Sequence, residues 1–65
     1  MNRSEIAKKL KKLRGDKNQI EVAEALMISS SALSAYESGV RIPRDEVKKR
    51  IADYYHLTVQ EIFFD

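Results

Sequence analysis

Helix punctuation constrains this chain more than any other feature. Apolar residues recur at helical spacing along most of its length, yet start and stop signals cut that period into short pieces. Ile6, Leu10 and Leu13 lie at i, i+4 and i+7 with Ala7 beside them, one face of a first helix over about 3–14 that Gly15 and Asp16 end. Asn18 opens a second helix, with Glu21 at capping-box spacing and Val22, Ala23 and Leu26 facing inward. Ile20 is a further apolar residue whose direction the pattern leaves open. Met27-Ile28-Ser29 connects to a third helix over about 30–37, for which Ser29 is the N-cap. Leu33 and Tyr36 point one way on it; Ser30, Ser31, Ser34 and Ala35 point the other. Gly39 sits where a left-handed residue closes a helix, and Pro43 lets none run through "VRIPR". Asp45 is placed to cap a fourth helix with Val47, Ile51, Tyr54 and Tyr55 as its apolar face. Thr58 with Glu61 makes a second capping box, opening a last helix that carries Val59, Ile62, Phe63 and Phe64. With no strand alternation, repeat or low-complexity segment, the pattern predicts an all-α, compact bundle of five short helices, a single domain over 1–65.

A 65-residue chain buries only about 60% of its unfolded surface, so its stability margin is small. It has no cysteine, so neither disulfides nor thiolate metal sites can staple it. The net charge of +2 hides a segregated distribution: +5 over 1–14, −3 over 15–40, +3 over 41–50 and −3 over 51–65. Two basic segments therefore flank the serine-rich helix. Such patches can meet phosphates, or merely keep a small surface soluble. Lys8, Lys9, Lys11 and Lys12 could face lipid or DNA, a solvated face being the plainer reading. No apolar run approaches the roughly 20 residues that span a membrane, and "MNRSEIAKKL" has no signal-peptide core. The expectation is a soluble cytoplasmic protein. Catalysis is disfavoured: there is no cysteine, no glycine-rich phosphate loop and one histidine, His56, placed before a turn and assigned no role. No catalytic residue, metal, cofactor or small-molecule ligand is expected. On the residues alone, three adjacent serines read as a capping and turn cluster.

Helix two, its short turn and helix three, over about 18–37, form a helix-turn-helix pattern. The stretch "NQIEVAEALMISSSALSAYESGVRIP" resembles the Cro and lambda-repressor-like helix-turn-helix regulators, the Xre family. Gln19, Val22, Ala23, Leu26, Ser29, Ser34, Tyr36, Glu37, Gly39 and Pro43 carry the likeness, with Ile28 and Leu33 in place of similar residues. "IADYYHLTVQEIF" resembles the family's last two helices, so the likeness covers nearly the whole chain. There are departures. Met27 stands where the family has its turn glycine, Asn18 replaces threonine, the link from helix one to helix two is shorter, and Asp45 and Lys48 occupy positions usually apolar. Core packing there is expected to differ, through Ile42 or Val47.

The resemblance implies that helix three enters the DNA major groove and that Ser30, Ser31, Ser34 and Ala35 meet base edges. None is a bidentate reader of the Arg, Lys, Asn or Gln type, so modest direct readout is expected, with alanine touching thymine methyls and DNA shape supplying part of the specificity. Lys17, Asn18, Gln19, Ser29, Arg41 and Arg44 are the implied phosphate contacts, which fix register without reading sequence. Glu37 would repel phosphate; in the family this Glu pairs with a basic residue of helix one, here Arg14 or Lys12. Family members dimerise on inverted half-sites. Ile62 is expected in the core, and one of Phe63 and Phe64 in a homodimer contact. The implied function is a sequence-specific double-stranded DNA-binding regulator of bacterial or phage type, with repression the expected direction. The alternative is a protein-interaction module on the same fold, an antitoxin or antirepressor, which the plain serine face favours. Salt separates the two, since phosphate-anchored binding weakens steeply as salt rises.

Overall fold

A computed structural model describes residues 2–64. Among these, α1 (Arg3–Arg14), α2 (Gln19–Ala25), α3 (Ser30–Glu37) and α4 (Asp45–Tyr54) are α-helices, and α5 (Gln60–Phe64) is a single wide π-type turn. No described residue is in a strand. Asn2 Oδ1 starts α1 by accepting from the Ser4 and Glu5 N–H groups at 2.9 and 3.1 Å. Asn18 Oδ1 starts α2 by accepting from Ile20 N–H at 2.7 Å. Ser29 Oγ starts α3 by accepting from Ala32 N–H at 3.0 Å. The Thr58 box is closed both ways: Thr58 Oγ1 accepts from Glu61 N–H at 3.1 Å, and Glu61 Oε1 accepts from Thr58 N–H at 2.9 Å.

The ends of α2, α3 and α4 share one hydrogen-bond motif. Ile28 N–H donates to Ala23 O (3.0 Å), Val40 N–H to Ala35 O (3.0 Å) and Leu57 N–H to Ala52 O (2.9 Å), each enclosing a bond from the preceding residue's N–H to the carbonyl three residues before it. These are Schellman ends, which need a left-handed residue just past the cap. The three such residues are Met27 (φ 59°), Gly39 (φ 78°) and His56 (φ 59°). Met27 is thus in the strained left-handed backbone that the glycine of related chains would adopt freely. Ala23 with Ile28, and Ala52 with Leu57, carry their apolar pairs into the core.

The core joins Ile6 and Leu10 of α1, Val22, Ala23 and Leu26 of the α2 segment, Leu33 and Tyr36 of α3, Val47, Ile51 and Ala52 of α4, and Ile62 and Phe63 of α5. Each fully buried aliphatic or aromatic side chain contributes about 1.5–3 kcal/mol. Ile20 points outward.

One expectation is corrected here. Asp45 does not cap α4: Lys48 N–H donates to Arg44 O at 2.9 Å, so Arg44 is the N-cap and Asp45 is the first residue of the helix. Asp45 instead supplies negative charge to the first turn and lies 3.6 Å from Lys48 Nζ. Of the two adjacent rings, Phe63 is 2% exposed in the core, whereas Phe64 is 51% exposed. Lys48 takes a usually apolar place by burying its stem (7% exposed) and setting its ammonium 5.8 and 5.2 Å from the Phe63 and Phe64 ring centres. Val47 is buried beside it, with Ile42 partly so.

Candidate nucleic-acid interface

The outward face of α3 is plain. Ser30, Ser31 and Ser34 are exposed and Ala35 is half-buried. Leu33 and Tyr36 turn inward, so the face is presented by a helix bolted to the core. Ala32 packs partly against that core. By helix geometry the first N–H groups of α3 have no intrahelical acceptor, and Ser29 satisfies one of them. The open N-terminus therefore offers further donors and a positive dipole end.

Beside it runs a groove between α3 and the start of α4. Ser29, Arg41 and Arg44 line it together, with Ile28, Ala32, Tyr36, Ile42, Glu46 and Val47. The structure thus gathers three of the six expected phosphate contacts at one edge of α3. The other three, Lys17, Asn18 and Gln19, lie at the start of α2. There Gln19 Nε2 donates to Glu37 Oε1 at 3.1 Å, which ties the start of α2 to the end of α3. The Lys17 ammonium sits 5.3 Å from the Tyr54 ring centre, and its carbonyl accepts from Arg14 at 2.7 Å. Two sets of phosphate candidates therefore flank α3 rather than forming one cluster.

Glu37 is 3% exposed, at the junction of α1, α2 and α3. Arg14 Nε donates to both its oxygens, at 3.1 and 2.8 Å, so Arg14 and not Lys12 is the partner. The hydrogen bond to Glu37 raises the Arg14 pKa against the opposing pull of burial. Burial raises the nearby Tyr55 phenol, and Tyr54 and Glu37 add to the shift. The carboxylate that would repel phosphate is thus neutralised inside the fold.

Two further arginines had no signal in the sequence pattern. Arg3 donates to Val40 O at 3.2 Å, pinning the loop that leads to Arg41. Arg50 reaches from α4 to the turn between α2 and α3, donating to Leu26 O at 2.8 Å and Met27 O at 3.2 Å. Both bonds link residues far apart in sequence to backbone carbonyls, which no side-chain pattern marks. Among the described residues no group of His, Cys, Asp or Glu could hold a metal ion.

Comparison with known proteins places this geometry. A helix-turn-helix family model matches residues 6–62. The HTH-type transcriptional activator BcrR of Enterococcus faecalis is 38% identical over 60 residues, covering 89% of this chain. The chain spans only 29% of that relative's length. The solution structure of the SOS-response transcriptional repressor LexA from Eubacterium rectale superposes with a TM-score of 0.90 over 98% of this chain and 70% of that one. At 21% identity that likeness establishes the fold alone.

Proposed function

The chain belongs to the helix-turn-helix family of DNA-binding transcription regulators, and from that premise we propose that it binds double-stranded DNA sequence-specifically, with α3 in the major groove. The observation that carries this reading is the edge of α3. There an exposed small face and an open helix N-terminus adjoin a groove holding Ser29, Arg41 and Arg44. Ser30, Ser31, Ser34 and Ala35 are the base-facing residues. Lys17, Asn18, Gln19, Ser29, Arg41 and Arg44 are the phosphate contacts. Small side chains let the helix backbone sit deep in the groove, with shape and deformability supplying part of the specificity.

Phe64, exposed at the end of α5, is the proposed homodimer contact, and an inverted repeat the proposed site. Repression by occupancy needs nothing beyond DNA binding and is the proposed direction. The curated relative carries the name of an activator, so a reporter with the selected site placed over or upstream of a promoter decides between the two. No described helix is long and apolar enough to cross a membrane, and a cytoplasmic location is proposed.

The same plain face favours a second reading, a protein-interaction module, because it carries no bidentate base reader. Selection of the purified protein against random duplex DNA separates them. An enriched motif with two-fold symmetry supports a dimeric regulator. Retention that is sequence-blind and lost with salt turns the search to a protein partner for α3.

A further inference from the structure

The helix-turn-helix unit is two short helices that share the core and are joined at one turn, and few side-chain hydrogen bonds tie it to the rest of the fold. α2 has 7 residues and α3 has 8. At the far end of the pair, Gln19 binds Glu37, which Arg14 of α1 holds in turn. At the turn, the backbone stands in a left-handed conformation on Met27, a residue that pays strain for it. Met27 is 75% exposed, so packing of its side chain does not hold it there. The group that does reach this turn is Arg50, whose Nη1 donates to the carbonyls on both sides of the strained residue's N–H. A cation here also meets the negative end of the α2 dipole. The other non-glycine Schellman end, at His56, closes α4 outside this unit.

We propose that Arg50 is a positioning residue: from α4 it clamps the Leu26 and Met27 carbonyls, holds the strained turn, and so fixes the direction in which α3 is presented to DNA. The orientation part stands on the geometry alone. Its consequence for binding rests on the DNA-binding reading above. Arg50 touches no base in this account. It works through the turn, so its loss degrades discrimination between sequences rather than removing a phosphate anchor.

The test uses Arg50→Met, Arg50→Lys and Arg50→Met combined with Met27→Gly, each at a temperature where circular dichroism shows it folded. Residual dipolar couplings of the free protein give the orientation of α3 relative to α1. Binding to a selected duplex and to its scrambled counterpart gives the discrimination ratio. Arg50→Met is expected to turn or loosen α3 and to cut the ratio about tenfold, the order that a charge-assisted hydrogen bond sustains. Arg50→Lys keeps most of the ratio, and Met27→Gly recovers part of it, because the turn no longer needs holding. Unchanged couplings in folded Arg50→Met overturn the proposal, as does an unchanged ratio in a chain whose wild type discriminates. A wild type that does not discriminate overturns the DNA reading instead, and the couplings still decide Arg50. Should Arg50→Met not fold, Arg50→Gln, which stays polar but is too short to reach the turn, carries the same comparison with the same two outcomes.

Discussion

Met27 and Glu37 are the two residues at which this chain departs furthest from local preference, and each departure makes a measurable demand. A non-glycine residue at φ 59° is strained, and glycine removes the strain at some cost in unfolded-chain entropy. Met27→Gly is therefore expected to stabilise the fold by about 0.5–1 kcal/mol in urea denaturation. Glu37 is far less exposed than Arg14, whose side chain is 21% exposed. Removing the arginine leaves a buried carboxylate with its charge unpaired and only the Gln19 amide donating to it; removing the carboxylate leaves a cation that can reach water. Arg14→Met is thus expected to cost about 3 kcal/mol and Glu37→Gln clearly less, and equal costs would contradict the burial asymmetry. Tyr55 provides a pH test. Its folded-state pKa lies above the ordinary 10.0, so above that pH the unfolded chain releases the proton first and stability falls as pH rises. Tyr55→Phe should flatten that alkaline fall while changing little near neutrality. The Arg14–Glu37 pair was legible in advance because the family likeness supplied it. The Arg50 and Arg3 bonds were not, since their acceptors are backbone carbonyls distant in sequence.

Element boundaries follow from caps, and here the sequence was a good guide with one instructive exception. Asn18, Ser29 and the Thr58–Glu61 box start their helices as their residue types require. Asp45 misled because Pro43 moves the entry to α4 back by a residue, leaving Arg44 as a cap without a side-chain bond. The pattern left open which of Phe63 and Phe64 faces the core; the single wide turn of the last element turns Phe63 inward and leaves Phe64 exposed. The helix ends share a spacing that the hydrogen bonds bring out: an alanine five residues before an aliphatic, as in Ala23–Ile28, Ala35–Val40 and Ala52–Leu57, marks each Schellman end. The capping box is the element whose removal is most cleanly tested. Thr58 Oγ1 accepts from Glu61 N–H and donates to Glu61 Oε1, and both bonds go with the hydroxyl, while the Thr58 backbone N–H keeps its bond to Glu61. Thr58→Ala should cost about 1 kcal/mol. Because α5 supplies Ile62 and Phe63 to the core, that loss should appear in global unfolding rather than as local fraying.

At the scale of the molecule, charge placement decides how binding should respond to salt. A net charge of +2 is too small to drive nonspecific capture, so the cations must act where they stand. Lys8 and Lys11 of α1 line a different groove from Arg41 and Arg44, with Ser38 and Gly39 at the end of α3. On the proposed DNA-binding reading, Arg41, Arg44 and Lys17 are the cations counted against phosphate. Each phosphate neutralised contributes about −0.9 to the slope of log K against log salt, so one protomer should give about −3 and a dimer on two half-sites nearly −6. The slope thus reports stoichiometry as well as contacts. Arg41→Ala should weaken binding to all duplexes alike and lower the slope by about one per protomer, leaving sequence preference intact. Phe64→Ser should halve the slope by leaving each protomer on its own half-site, with little change in stability, since the exposed ring carries little of the core. If Phe64→Ser leaves a slope near −6 untouched, the dimer contact lies elsewhere. If the wild type already gives −3, the protein binds as a single copy, and two-fold symmetry in the selected duplexes should be absent as well.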